Sequence, residues 1–191
     1  MTDDGITADH RAALDATRAV VAGITADQWT LATPCEEWDV RELLNHVVAG
    51  NWWAARLAAG ETIESVGGEY DGDVVGPDAT DAYDRSAQAA AVAFEAPGAL
   101  DAPCAVSYGP VPGSVYAGHR FVDVLIHGWD LATATGQPSP VTPELAAACW
   151  QVVEPQLDML RASGMFGSEQ AIPADADVTT RLLLVVGRHP A

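Results

Sequence analysis

The sequence predicts an all-α protein, a four-helix bundle with long crossover connections and a short C-terminal extension. Four long segments carry apolar residues at helical spacing, and stretches rich in glycine or proline separate them. A chain of 191 residues with 49% hydrophobic residues can build one core, so we expect a single domain over residues 1–191. The predicted helices span residues 7–24, 39–59, 79–95, 114–135 and 142–162, with a short one at 178–186.

The first two helices are indicated by an apolar stripe and by a capping pattern. Leu14 and Val21, together with several alanines, form one apolar face of helix one. Residues 33–38 read TPCEEW, a proline-containing connection. Asp39 followed by Glu42 is a capping box, which predicts the start of helix two.

Helices two and three are separated by a glycine-rich, acidic segment. Gly60 ends helix two, and the residues up to Asp78 show little periodicity. We expect a loop long enough to cross one end of the bundle, where it could cover a site. Helix three is alanine-rich and contains no helix breaker before Pro97.

The second half of the chain begins with an irregular segment over residues 99–113, where three prolines rule out a continuing helix. We expect one short extended piece there. Helix four then runs to Gly136, a typical C-terminal cap. Helix five begins with Thr142 as N-cap and Pro143 in its first turn, and Pro155 predicts a kink.

The charge of the chain excludes several kinds of partner. Nine arginines and no lysine stand against 27 acidic residues, for a net charge of −18. Such a chain repels nucleic acid and anionic lipid, so we expect neither as a partner. The N-terminal residues MTDDGITADH lack the features of a signal peptide, and no apolar run is long enough to cross a membrane. These observations predict a cytoplasmic protein.

Three cysteines are present, and their spacing is not that of a zinc knuckle or a redox dithiol. Cys104 and Cys149 are predicted to be buried or idle thiols. Cys35 is also predicted to be a buried or idle thiol. The alternative is a reactive thiol, because Cys35 lies just before a helix start, whose amide dipoles could lower the pKa of its thiol.

Helix four carries a pair of residues suited to a metal ion. Asp123 and His127 are four residues apart and therefore lie on one helix face, about one turn from each other. His119 is eight residues from His127, roughly 12 Å along the axis, too far to share the same ion. His46 interrupts an apolar stripe of helix two and needs a polar partner. Taken alone, His46 could be a hydrogen-bonded core residue, and the pair on helix four could lie on a solvated face.

Three stretches of the chain resemble a known family. TPCEEWDVRELLNHVVAGN, DVLIHGWDLATATG and RLLLVVGRHP are similar to the actinobacterial branch of the DinB-like metalloenzymes related to the N-terminal domain of mycothiol-dependent maleylpyruvate isomerase. The resemblance implies a four-helix bundle with a metal held by two histidines, one carboxylate and water. On the matching positions these ligands are His46, Asp123 and His127. The chain departs from the isomerase in having Asp rather than Glu as the carboxylate, and in lacking a further C-terminal domain.

An open metal site indicates activation of a thiol or of water. The resemblance implies mycothiol as the cosubstrate, a small-molecule electrophile as the other partner, and a thiol transferase or isomerase as the function. Zinc is the divalent metal we expect, with nickel or iron as alternatives. The alternative functions are a non-catalytic metal- or ligand-binding module, a hydrolase using metal-bound water, and a non-haem iron enzyme.

Other residues have open roles. Arg85 and Arg120 are candidates for binding the cosubstrate, as is Arg56, because no lysine is available; each could equally be a surface residue. Asp130 could orient the ring of a ligating histidine or simply pair on the helix surface. The sequence leaves a homodimer open. Four tryptophans are expected to pack the bundle, with a substrate-lining role as the alternative: Trp38, Trp52, Trp53 and Trp129.

Overall fold

The computed structural model describes residues 3–158 and 171–190. The chain divides into two compact units, Met1–Pro140 and Val141–Ala191; a single domain over the whole chain stays a prediction. The elements of the first unit, in chain order, are α1 (Asp3–Ala22), α2 (Val40–Ala58), α3 (Ile63–Val66), α4 (Ala79–Glu95), β1 (Pro103–Val106), β2 (Gly109–Pro112) and α5 (Gly113–Thr135).

The long helices of the first unit form a bundle with crossed connections. Helices α1 and α2 each pack against both α4 and α5. The two helices that follow each other along the chain, α1 and α2, therefore occupy diagonal corners, and residues 23–39 must cross the end of the bundle. Residues 96–112 connect α4 to α5 across the other diagonal. This arrangement confirms the predicted all-α bundle with long crossover connections.

The starts of the first two long helices follow from burial and capping. Helix α1 begins at Asp3 rather than at the predicted Thr7, because Ile6 is buried and extends the apolar stripe by one turn. The capping box predicted for α2 is confirmed. The Asp39 side chain accepts a hydrogen bond from the backbone N–H of Glu42, and the Glu42 carboxylate accepts one from the Asp39 N–H.

Two features of the connections were not predicted. The four-residue helix α3 lies in the loop after α2, where Thr62 accepts a hydrogen bond from the backbone N–H of Ser65. Residues 103–112 form an antiparallel hairpin, with Cys104 opposite Val111, rather than one extended piece. Its prolines are tolerated because the outer edges of a two-stranded ribbon need no backbone N–H donor.

Helix α5 is buried along most of its length and lies very close to α1. The Thr17 hydroxyl donates to the backbone carbonyl of Val124 at 3.1 Å, and a Cβ atom on Gly128 would lie 2.3 Å from that hydroxyl oxygen. Only glycine permits this approach. The helix ends as predicted, with Gly136 in the left-handed region at φ 68°. Among the described residues, none of the helices is both long enough and apolar enough to cross a membrane.

His10 of α1 is an unusual member of the core. It is 1% exposed, and its ring packs edge-on against Phe94 at a centroid distance of 5.3 Å. Within the described parts of the chain, neither ring nitrogen has a hydrogen-bond partner. Burial, with a contribution from the positive charge of Arg120, lowers the pKa of His10 to about 3. His10 is therefore neutral at pH 7.

The second unit contains α6 (Pro143–Val153), a 3-10 turn over Glu154–Gln156, and α7 (Val178–Val185). Helices α6 and α7 pack against each other. The α-helix is interrupted by this 3-10 turn where a kink at Pro155 was predicted, because proline has no N–H for the preceding turn, and residues 157–158 are α-helical again. Residues 159–162, the predicted end of helix five, lie outside the described residues.

Candidate metal centre

Helices α2 and α5 bring His46, Asp123 and His127 together. The Asp123 Oδ1 atom lies 3.4 Å from His46 Nε2 and 3.5 Å from His127 Nε2. The two imidazole rings are nearly perpendicular, with their centroids 5.0 Å apart. One nitrogen or oxygen atom from each of the three residues therefore faces a common point, and all three atoms lie within 4.8 Å of one another.

The spacing of these atoms fits a single small cation. Zinc–nitrogen bonds of about 2.0–2.1 Å at tetrahedral angles place neighbouring ligand atoms about 3.3 Å apart. The observed separations of 3.4 and 3.5 Å are close to this value. The side chains of His46 and Asp123 are 36% and 27% exposed, so the common point is reachable from solvent. A donor set of two imidazoles and a carboxylate suits zinc, nickel or iron.

Arg120 holds the Asp123 carboxylate in place. Its Nη1 donates to Asp123 Oδ2 at 2.8 Å, which leaves Oδ1 facing the two histidines. Its Nη2 donates to Asn51 Oδ1 at 3.1 Å, and Asn51 in turn donates to the Ser86 hydroxyl at 3.3 Å. A Cβ atom on Gly50 would lie 2.4 Å from Arg120 Nη1, so the guanidinium needs glycine at that position.

The charges around Asp123 favour its ionised form. Burial raises the pKa of the Asp123 carboxyl, but the positive charge of Arg120 and the contacts with His127 and His46 outweigh burial. The pKa therefore lies well below its ordinary value. Asp123 is a carboxylate at neutral pH, the form that binds a metal.

The second nitrogen of His127 is fixed by a buried carboxyl group. His127 Nδ1 lies 3.1 Å from Asp130 Oδ2, and Asp130 is fully buried. A hydrogen bond from Nδ1–H to this oxygen directs Nε2 at the common point, where its lone pair can bind a metal once Nε2 has lost its proton. Of the two roles left open for Asp130, this contact supports the orientation of His127. Burial lowers the pKa of His127, but Asp123 and Asp130 outweigh burial and raise it well above its ordinary value.

The TPCEEW segment contributes two contacts. The Cys35 thiol donates to Asp130 Oδ2 at 3.2 Å and lies 3.7 Å from His127 Nδ1. The Trp38 ring stacks on His46 with centroids 4.6 Å apart. Thr33 holds the turn between them, because its hydroxyl lies within hydrogen-bond distance of the carbonyl oxygens of both Cys35 and Trp38. Cys35 therefore contacts His127, whereas Trp38 stacks on His46 and also meets the His127 ring edge-on at a centroid distance of 6.0 Å.

The sequence matches a known protein family over most of the first unit. A family model described as the mycothiol maleylpyruvate isomerase N-terminal domain matches residues 10–132, more than half of the chain. The chain belongs to this family. The resemblance inferred from the sequence motifs is thereby confirmed.

The chain is similar to proteins from two strains of Mycobacterium tuberculosis, CDC 1551 / Oshkosh and ATCC 25618 / H37Rv, both described as uncharacterized. Each is 39% identical over 184 residues, which cover 94% of this chain and 95% of the relative. Two crystal structures, of the mycothiol-dependent maleylpyruvate isomerase and of its histidine-to-alanine variant, each superimpose on this chain with a TM-score of 0.61. Their identities are 17% and 16%, over 87% of this chain and 70% of theirs. They share the fold.

The arginines proposed from the sequence occupy different environments in this family member. Arg120 is only 8% exposed and is bound by Asp123 and Asn51, so its position favours a role in holding Asp123 rather than in binding a cosubstrate. Arg56 pairs with two glutamates of the following loop. Arg85 is exposed and lines a second cavity of about 340 Å³, which contains none of the three candidate ligands. A cosubstrate role for Arg85 stays a prediction.

Other predicted residues lie as follows. His119 contacts the hydroxyl of Tyr108 in the hairpin. Trp52 and Trp53 pack against Tyr70, and Trp129 is buried, whereas Trp38 covers a candidate ligand. Cys104 and Cys149 are buried, as predicted.

Three residues near the site were missed. Asn51 and Ser86 support Arg120, and Arg41 lines a cleft beside His46. Asn51 carried a usable signal, since a polar residue in an apolar helical stripe needs a partner. Neither of the other two stood out in the sequence.

Proposed function

We propose that this chain is a metal-dependent enzyme of thiol chemistry, a transferase or isomerase, with mycothiol as its cosubstrate. The observation that carries the proposal is the convergence of His46, Asp123 and His127 at spacings suited to one ion. The name of the matching family supports the choice of thiol. We expect zinc as the metal, and a small-molecule electrophile as the second substrate.

The residues around the cluster prepare it for this chemistry. A divalent ion held by three protein ligands would leave a position for a thiol and would lower the pKa of that thiol, which then reacts as a thiolate. Arg120 keeps Asp123 ionised and aims Oδ1 at the histidines. Asp130 orients His127, and Trp38 covers part of the His46 ring. The protein thus holds its ligand atoms in place before any ion binds.

The metal site is tested by elemental analysis of the protein purified without added metal. We expect about one divalent ion per chain in the wild type, and its loss in His46→Ala and in His127→Ala. His119→Ala is the matched control, because it removes a histidine of the same helix as His127 that contacts Tyr108 instead. A wild type without stoichiometric metal, or equal metal loss in His119→Ala, would show that the site is wrong. The same analysis distinguishes zinc from nickel and iron.

The thiol chemistry is tested with the metal-loaded protein. Mycothiol and a panel of electrophiles, including maleylpyruvate and alkylating agents, are incubated with and without protein. We expect turnover that requires both mycothiol and metal. The His46→Ala substitution should abolish this turnover. Binding of mycothiol without turnover of any electrophile would instead favour the non-catalytic binding module.

A further inference from the structure

We propose that Cys35, Asp130 and the Nδ1 atom of His127 form a second metal site, which binds a thiophilic divalent cation such as zinc. We call these three residues the thiolate site. The thiolate site shares His127 with the centre formed by His46, Asp123 and His127, which we call the primary centre. The two sites use opposite nitrogens of one imidazole ring, and the second does not depend on which reaction the primary centre catalyses.

The donor atoms of the thiolate site lie at spacings close to those that one zinc ion requires. Cys35 Sγ lies 3.2 Å from Asp130 Oδ2 and 3.7 Å from His127 Nδ1, and these last two atoms are 3.1 Å apart. Zinc–sulfur bonds of about 2.3 Å and zinc–nitrogen or zinc–oxygen bonds of about 2.0–2.1 Å, at tetrahedral angles, place sulfur about 3.5 Å from its neighbours and nitrogen about 3.3 Å from oxygen. Each donor pair therefore needs to move by only about 0.3 Å or less to bind an ion.

Protons and a cation compete for the thiolate site. The Cys35 thiol donates a hydrogen bond to Asp130, and His127 Nδ1 lies at hydrogen-bond distance from the same oxygen. A cation replaces the thiol proton and the Nδ1 proton, and both protons pass to solvent. When Nε2 also binds an ion, the ring becomes an imidazolate bridge between two cations about 6 Å apart. Removing both ring protons costs free energy, so the thiolate site fills after the primary centre and binds more weakly.

The charges around the shared ring balance two divalent cations. Asp123, Asp130, the Cys35 thiolate and the imidazolate of His127 carry one negative charge each, and two divalent ions supply four positive charges. Arg120 is paired with the second oxygen of Asp123. Burying an unpaired charge is costly, and this balance avoids that cost. The chain as a whole, at −18, also attracts cations.

The thiolate site can be reached from solvent on the side of the TPCEEW segment. Asp130 is fully buried and the His127 side chain is 12% exposed, whereas Cys35 is half-buried and its neighbour Glu36 is exposed. An ion can therefore enter past Cys35 and keep water as its fourth ligand. The Thr33 hydroxyl accepts a hydrogen bond from the Cys35 N–H at 3.1 Å, so the thiol is held at the site by its own turn.

The donor set of the thiolate site determines which cations it binds. Thiolate and imidazole ligands suit zinc and similar transition metals, whereas magnesium and calcium prefer oxygen ligands. The three ligands of the primary centre offer only nitrogen and oxygen atoms. A metal–sulfur bond would therefore identify an ion at the thiolate site.

Cobalt(II) detects that bond, because a cobalt–thiolate bond gives an intense charge-transfer band that nitrogen and oxygen ligands do not give. The chain is stripped of metal with a chelator, kept reduced with a phosphine, and titrated with Co²⁺ while its absorbance is recorded. Cys35→Ser replaces the thiol by a hydroxyl of similar shape, and His46→Ala removes a ligand of the primary centre alone. Cys104→Ala is the control, because it removes a buried cysteine of the hairpin.

We expect the first equivalent of Co²⁺ to bind the wild type without the charge-transfer band. The second equivalent should produce the band, with a Kd about tenfold higher or more. Cys35→Ser should lose the band and keep the first equivalent, whereas His46→Ala should show the band with its first equivalent. His127→Ala should lose both ions, and Cys104→Ala should match the wild type. Circular dichroism checks that each variant is folded.

Four results would overturn the thiolate site. They are the lack of a charge-transfer band in the wild type, a band that Cys35→Ser retains, a band that Cys104→Ala loses equally, and a wild-type band already complete at the first equivalent. The proposed function can fail without affecting this result, because a lack of turnover with mycothiol leaves the Co²⁺ titrations unchanged.

Discussion

His10 is expected to make the stability of the protein sensitive to mild acid. Burial lowers the pKa of His10 to about 3, whereas an unfolded chain protonates histidine near its ordinary value of 6.5. Below pH 6.5 the unfolded state therefore binds a proton that the folded core excludes, and stability falls as pH falls. The loss amounts to about 1.4 kcal/mol for each pH unit down to about pH 3. Between pH 7 and pH 5 it comes to about 2 kcal/mol.

The measurement is urea unfolding followed by circular dichroism at pH 7, 6 and 5. His10→Leu should lose about 2 kcal/mol less than the wild type over this range, because it has no proton to bind in the unfolded state. His189→Leu, which removes an exposed histidine, serves as the control and should follow the wild type. Comparing the change with pH, rather than the stability at one pH, removes any repacking cost of leucine. Parallel curves for wild type and His10→Leu would refute the reasoning.

Three further predictions concern the candidate metal centre. Gly50→Ala should raise the zinc Kd about tenfold or more, because the new Cβ displaces Arg120 from Asp123. A competition titration with a chromophoric chelator measures this Kd, and an unchanged value would contradict the prediction. Asp130→Asn should weaken zinc binding about 10- to 100-fold in the same titration by loosening the orientation of His127; equal affinity would remove the orienting role. Because the pKa of metal-free His127 is raised, zinc binding at pH 7 should release a proton, and affinity should fall as pH falls. Calorimetry in buffers of different ionisation enthalpy detects this proton, and buffer-independent heats would argue against it.

The fold could be predicted largely from local signals. Asp39 and Glu42 predict the start of α2, and Gly136 predicts the end of α5, because helix caps depend on residues close in sequence. The hairpin was missed because its pairing depends on a tight turn at Ser107 and Tyr108, followed by Gly109 at positive φ, that brings two proline-containing segments side by side. Alternation within such short segments is too weak a signal for a strand.

The candidate site was predictable where its residues lie on one helix. Spacing alone puts Asp123 and His127 on one face of α5. The prediction of His46 as a ligand depended on the family resemblance, because its place in an apolar stripe indicates a polar partner without identifying that partner. The contacts of Cys35 with Asp130, and of Arg120 with Asn51, join residues far apart in the chain. They depend on how each helix is rotated about its axis in the bundle, which periodicity determines only to within a face.

The close approach of Arg120 to α2 also has an evolutionary consequence. A residue larger than glycine at position 50 is incompatible with the guanidinium in its present place, so the two positions constrain each other. Among relatives of this chain, an arginine at the position of Arg120 should occur together with glycine at the position of Gly50. Where the arginine is replaced by a shorter residue, the constraint disappears and larger residues should enter. Covariation between position 50 of α2 and position 120 of α5 would thus record the contact between Gly50 and Arg120, the residue that pairs with the Asp123 carboxylate.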